Sequence, residues 1–164
     1  MLTKGKMSFP SEEARFVKNA VVLFDVLEEC NAAVSAQGKE ALEPSAFFLG
    51  KTMLQSLDGH YLIRSFIKNV HPYWDAIARK DESFFLSNAG EVFRFMPAAQ
   101  VNLLRDLFEE KSIQEITAQH KAQVWDLFRA MVRISLKYCL RFPAEDPMKE
   151  VALDHHLQVW KIKA

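Results

Sequence analysis

The sequence predicts an all-α fold: a single compact bundle of about six or seven helices, with a long, largely buried helix near residues 117–142. A chain of 164 residues is the usual size of one domain with one core. Its 5 Gly and 6 Pro leave long stretches free of the strongest helix breakers, and apolar residues recur at steps of three and four. Hydrophobic residues make up 49% and charged residues 26%, which is typical of a folded globular chain.

The beginning of the chain predicts an arm followed by two helices. Residues 1–10 are expected to form a flexible arm, and the helical bundle domain is expected to occupy 11–142. Ser11 suits the N-cap of the first helix, and Pro44 suits the first turn of the second. The apolar positions of the first helix follow at helical spacing and stop before Gly38: Phe16, Ala20, Leu23, Leu27, Cys30 and Val34.

The middle of the chain predicts shorter helices, because helix starts and breaks follow each other closely. Asp58 suits the N-cap of a third helix, and Pro72 ends that helix and can begin the next. Asp81 provides the acidic first turn of a further helix, which weakens at Gly90. Pro97 is expected to start another helix.

The long helix is the strongest prediction in the second half of the chain. Ser112 and Glu115 fit the capping box of a helix start, and residues 112–142 include neither Gly nor Pro. Apolar residues cover a wide arc of this helix, which predicts a central position. Residues 143–164 are expected to form a C-terminal helix or docking tail, and a helix with an extended end is favoured over a strand.

One row of cations is the strongest functional signal. Four cations fall at strict four-residue spacing on the long helix and are therefore surface neighbours: Arg129, Arg133, Lys137 and Arg141. No carboxylate lies between Asp126 and Glu145 to neutralise the row from its own helix. The row is a candidate site for nucleic acid or another phosphate ligand. The favoured alternative is a solvated face, or pairing with carboxylates of another helix, because the formal net charge of the chain is zero.

Aromatic residues are more numerous than one face of each helix can bury, which favours helices covered on two sides or a surface used for association. Aromatic side chains are enriched in the cores of protein interfaces. A haem or lipid pocket within the bundle is an alternative without a ligand motif. The candidate interface residues are Tyr73, Trp74, Phe84, Phe85 and Trp160.

No catalytic residue, metal ligand or cofactor is predicted. The sequence lacks the G-x-S-x-G and H-E-x-x-H motifs and a glycine-rich phosphate loop. Asp154, His155 and His156 are adjacent, but neighbouring helical residues point about 100° apart and do not easily chelate one ion.

Cysteine content and hydropathy predict an intracellular location, in the cytoplasm or nucleus. Cys30 and Cys139 are expected to be unpaired buried thiols, which fits a reducing compartment. The N-terminus lacks the apolar core of a signal peptide, and no run reaches the ~20 apolar residues of a membrane span. No membrane partner is therefore expected.

Several aromatic and acidic positions carry a resemblance to a known group of proteins. They are His71-Pro72-Tyr73-Trp74-Asp75, then Lys80-Asp81-Glu82 with Phe84-Phe85, and later Val124-Trp125, Phe128 and Tyr138. Over residues 66–138 the chain resembles uncharacterised helical proteins of large DNA viruses. The resemblance implies a virus-encoded intracellular protein, either a virion component or one associated with replication, and brings no functional residues.

These observations predict a non-enzymatic helical interaction or structural protein that associates with itself or with another protein. The alternative is a nucleic-acid or phosphate-binding module that uses the row from Arg129 to Arg141. An enzyme with a pocket in the bundle core is a third interpretation, for which the sequence offers no motif.

Overall fold

The computed structural model confirms the all-α fold class. It describes residues 11–36, 44–92, 98, 101–102, 118–145 and 148–163. These residues are mostly helical and include no strand. None of the described helices combines the length and the apolar character that crossing a lipid bilayer requires. The arm at 1–10, the helix start at Pro97 and the capping box of Ser112 and Glu115 lie outside the described residues, and the bundle arrangement stays a prediction.

The described α-helices are between 5 and 25 residues long. In chain order they are α1 (Glu12–Ala36), α2 (Pro44–Ser56), α3 (Gly59–Val70), α4 (Trp74–Ala78), α5 (Glu82–Val92), α6 (Ala118–Arg141) and α7 (Leu153–Val159). Two 3-10 turns lie before α4 and α7, at His71–Tyr73 and Met148–Glu150. The last segment is therefore helical with a non-helical end, which agrees with the preferred sequence interpretation.

Two predicted caps have the expected geometry. Ser11 Oγ accepts the backbone N–H of Ala14 at 3.2 Å, and Asp58 Oδ1 accepts that of His60 at 3.3 Å. Each side chain satisfies a donor that the first helical turn leaves unpaired. The starts of α1 and α3 were thus correctly placed by local chemistry.

The predicted weakness of α5 lies two residues earlier than expected. Asp81 Oδ1 accepts the backbone N–H of Phe84 at 3.1 Å, which confirms the helix start. The backbone leaves the helical region at Asn88, with φ −122° and ψ 15°, rather than at Gly90. The Asn88 amide donates to the Phe84 carbonyl at 3.0 Å, and such local side-chain bonds compete with helical geometry.

The core is built around α1 and α6, which pack against each other. Helices α2 and α3 pack on α1, whereas α4 and α7 contact α6 and each other. The inward side chains of α6 are Val124, Trp125, Phe128, Met131, Val132, Ile134, Leu136, Tyr138 and Cys139. This confirms the prediction of a long, largely buried helix.

Helix α2 lies close to α1 because Gly50 has no side chain. A Cβ at this position would lie 2.8 Å from Phe24 Cε1, closer than real carbon contacts allow. Phe47 and Leu54 are buried on the same side of α2. Because this side of α2 lies against α1, the opposite side of α2 faces away from α1.

The two thiols are buried and unpaired, as predicted. Burial raises the pKa of Cys30 to about 11 and that of Cys139 to about 12. Both thiols are therefore protonated at neutral pH and act as small apolar groups.

Candidate functional site

The cationic row of α6 (Arg129, Arg133, Lys137 and Arg141) is divided among different contacts. Arg141 Nη1 donates to Glu12 Oε1 at 2.7 Å and lies 3.7 Å from Glu13 Oε2. The bond to Glu12 raises the pKa of Arg141. The positive charge at the end of α6 is thus paired with the acidic start of α1. Pairing with carboxylates of another helix was one of the alternatives that the sequence predicted.

Two members of the cationic row cover the indole of Trp160. Arg133 Nη1 donates to the Trp160 carbonyl at 2.9 Å. The guanidinium carbons of Arg133 and Arg129 lie 5.5 and 5.8 Å from the Trp160 ring centroid, within the range of a cation–π contact. These cations attach the C-terminal segment to α6.

A groove of ≈ 390 Å³ between α1 and α6 collects four cations. Its lining consists of Arg15, Lys18, Asn19, Ala130, Arg133, Ile134 and Lys137, with no carboxylate among these described residues. Lys18 and Lys137 have no ion-pair partner in the described part of the chain, whereas Arg15 lies 3.7 Å from Glu12. We call this the cationic groove. Sequence reasoning considered α6 alone and missed Arg15 and Lys18, although their three-residue spacing places them on one face of α1.

The predicted interface residues lie largely inside the fold. Trp74 and Trp160 are 0% and 1% exposed, so neither indole is available to a partner in this conformation. Tyr73 and Phe84 are half-buried and pack on each other, with ring centroids 5.1 Å apart. The side chain of Phe85 lies outside the described residues. The sequence could not separate buried from exposed aromatic residues, because a helix covered on two sides and a surface patch both require aromatic residues on more than one face.

A different apolar surface faces the solvent. Leu49, Met53 and Leu57 repeat at four-residue spacing and are 58%, 65% and 44% exposed; we call them the apolar row. Phe48, next to Leu49, is 66% exposed. The apolar row was not predicted from the sequence, because leucine and methionine are ordinary core residues.

A cluster of possible metal ligands joins α4 to α7. The ligand atoms of Asp75, His155 and His156 all lie within 4.8 Å of one another. Burial lowers the pKa of His156, so its imidazole is neutral at pH 7. Sequence reasoning grouped the histidines with the exposed Asp154 instead, because nothing in the sequence places Asp75 beside them.

The hydroxyl of Tyr138 is the centre of a polar network between α3 and α6. It accepts the Nε–H of Arg64 at 3.1 Å and lies 2.8 Å from His60 Nδ1. Arg64 also pairs with Glu145, and His60 Nε2 lies 3.3 Å from Glu13 Oε1. Burial raises the pKa of Tyr138, so the phenol stays protonated at neutral pH. We interpret this network as a structural cross-link.

No known protein family matches the chain, and no curated protein or solved structure matches it. The resemblance to helical viral proteins therefore stays a prediction, together with the compartment that it implies.

Proposed function

We propose that this protein is a non-enzymatic helical interaction protein that associates with a second copy of itself through α2. The apolar row carries the proposal, because Leu49 and Met53 are 58% and 65% exposed, with Phe48 beside them at 66%. Scattered exposed apolar residues are common, but neighbouring large ones mark interaction surfaces.

The row has the geometry that helix packing uses. Residues four apart form a ridge on a helix, and such ridges fit the grooves of a facing helix. Lys51 is the only charged residue of α2, and its ammonium group turns to α1, where it lies 2.9 Å from Asp25 Oδ1 and also binds Glu28. The apolar row is therefore free of charge on its own helix.

A second copy is the occupant that these features favour. From their exposed fractions, the row and Phe48 expose on the order of 500 Å² per copy, so two facing copies would bury at most about 1,000 Å², which is the minimum expected of a specific interface. Identical faces meet in a closed two-fold dimer. The zero formal net charge of the chain adds no overall repulsion between copies.

The test is the mass of the full chain in solution at tens of micromolar. We expect a dimer for the unaltered protein and a monomer for the double variant Leu49→Gln and Met53→Gln. Val159→Gln is the matched control, because Val159 is 40% exposed and belongs to α7 rather than to α2. A monomeric unaltered protein, or a double variant that stays dimeric, would exclude association through α2.

A second candidate function, binding a phosphate-bearing ligand, is favoured by the cationic groove. Four cations from two helices converge there, so an anion can be contacted from both sides. Arg133 already donates to Trp160, which leaves Lys18 and Lys137 as the cations best placed to meet a ligand. The proposed phosphate site is therefore formed by α1 and α6 together rather than by the cationic row of α6 alone.

Binding of a short labelled DNA oligonucleotide at several salt concentrations tests this function. For Lys18→Gln with Lys137→Gln, we expect weaker binding and a smaller dependence on salt, by about 0.9 in slope for each lost phosphate contact. Lys68→Gln is the control, an exposed lysine in the last turn of α3. Equal binding by the double variant and the control would remove the groove from consideration.

A further inference from the structure

The side chains of Asp75, His155 and His156 converge although they belong to different parts of the chain. His155 Nε2 lies 2.9 Å from Asp75 Oδ2, and His156 Nδ1 lies 3.6 Å from Asp75 Oδ1. In a tetrahedral zinc site with bonds of roughly 2.0 to 2.2 Å, neighbouring ligand atoms are about 3.3 to 3.6 Å apart. The ligand atoms of the three residues all lie within 4.8 Å of one another, so the observed separations approach those of a three-ligand site.

The two histidines reach the same point because they offer different nitrogens. Their rings lie 5.1 Å apart with an angle of 67° between their planes. His155 turns Nε2 towards Asp75, whereas His156 turns Nδ1, the nitrogen nearer its own backbone. This difference in reach compensates for the divergence of adjacent helical positions, which made a shared ion look unfavourable from sequence.

His156 supplies an independent sign of a ligand. The residue is only 5% exposed, and its Nδ1 is buried without a hydrogen-bond partner among the described residues. The ring is held by an edge contact with Trp74, at a centroid distance of 5.1 Å. An unpaired buried nitrogen is costly, and a bond to a metal ion would satisfy it.

We propose that Asp75, His155 and His156 bind one divalent ion of the zinc class and thereby fasten α7 to α4. Two imidazoles and one carboxylate suit Zn²⁺ and similar borderline ions, whereas Mg²⁺ and Ca²⁺ prefer oxygen ligands. The side chains of Asp75 and His155 are 42% and 52% exposed, so the site opens to solvent and leaves room for a water molecule as the fourth ligand. The ion would stabilise the segment that carries Trp160.

The first measurement is calorimetric titration of the full, untagged chain with Zn²⁺ alone, together with the visible absorption of the Co²⁺ form. We expect one ion per chain and the intense cobalt spectrum of tetrahedral coordination. Mg²⁺ should produce no binding heat. A chain that binds no Zn²⁺ in this titration would overturn the proposal.

Variants locate the ion. Asp75→Asn and His155→Ala change half-exposed side chains, so folding, checked by circular dichroism, is expected to persist in at least one of them. Each should weaken Zn²⁺ binding at least about tenfold and abolish the tetrahedral cobalt spectrum. His120→Ala is the matched control, a histidine of α6 that lies 3.3 Å from Glu29 instead. Unchanged Zn²⁺ binding in a folded Asp75→Asn or His155→Ala variant would place the ion elsewhere and overturn the assignment.

Discussion

Two rows of side chains at four-residue spacing have opposite outcomes in this fold. The cationic row of α6 looks unneutralised in sequence, yet Arg141 pairs with Glu12 and Arg133 binds the Trp160 carbonyl. The apolar row of α2 looks like ordinary core, yet Met53 is 65% exposed. Side chains at the same helical spacing thus bind other segments of the chain in α6 and form an exposed surface in α2.

The two rows differ in exposure because residues from distant parts of the chain contact the cationic row, whereas α2 uses its other face for packing. Glu12 lies 129 positions before Arg141, and Trp160 lies 27 positions after Arg133. Helix α2 has its buried face on the other side, where Gly50 allows contact with Phe24. A row can therefore be judged as a surface only when the neighbours from other helices are known.

The largest effect is expected from removing the indole that the cationic row covers. Trp160→Ala should lower the free energy of unfolding by about 3–5 kcal/mol, because it empties a fully buried volume. Urea unfolding followed by circular dichroism measures the loss. Val159→Ala is the control, since Val159 is 40% exposed and should change stability little. Equal stability of the two variants would show that the C-terminal segment is not fastened to α6.

Local sequence chemistry predicted much of the fold. Ser11 and Asp58 cap helices whose starts depend only on the next few residues. The wide apolar arc of α6 predicted its burial, because such an arc needs more than one neighbour. The position of the interruption in α5 was missed, since the side-chain bond of Asn88 prevailed over the flexibility of Gly90.

The candidate sites were less predictable, because each depends on contacts between residues far apart in the chain. Lys18 joins Lys137 in the cationic groove only when α1 lies against α6. Asp75 and His155 are 80 positions apart, and no spacing rule connects them. The number of aromatic residues predicted either burial or association, and the sequence did not indicate which of the two applies to Trp74, which is buried.

An intermediate effect is expected where the cationic row holds the backbone of the C-terminal segment. Arg133→Met keeps an apolar stem of similar length but removes the bond to the Trp160 carbonyl and one cation–π contact. We expect a loss of about 1–2 kcal/mol in the free energy of unfolding, measured with urea. Lys137→Met in the same row should be close to neutral, since Lys137 is exposed. If Lys137→Met costs as much as Arg133→Met, the row acts through its overall charge rather than through Trp160.

The smallest effect on stability is expected from a substitution in the apolar row. The same substitution at the neighbouring buried position provides the comparison. Met53→Gln should change the free energy of unfolding by less than about 0.5 kcal/mol when the chain is dilute enough to be monomeric, because the side chain is 65% exposed. Leu54→Gln makes a similar change one position later, where the side chain is 5% exposed, and should cost about 2–4 kcal/mol. A loss of stability in dilute Met53→Gln as large as in Leu54→Gln would mean that this chain covers the row itself, leaving no surface on α2 for a second copy. A neutral Met53→Gln would instead show that the row does not contribute to the stability of the monomer, so that its surface is free to contact a second copy.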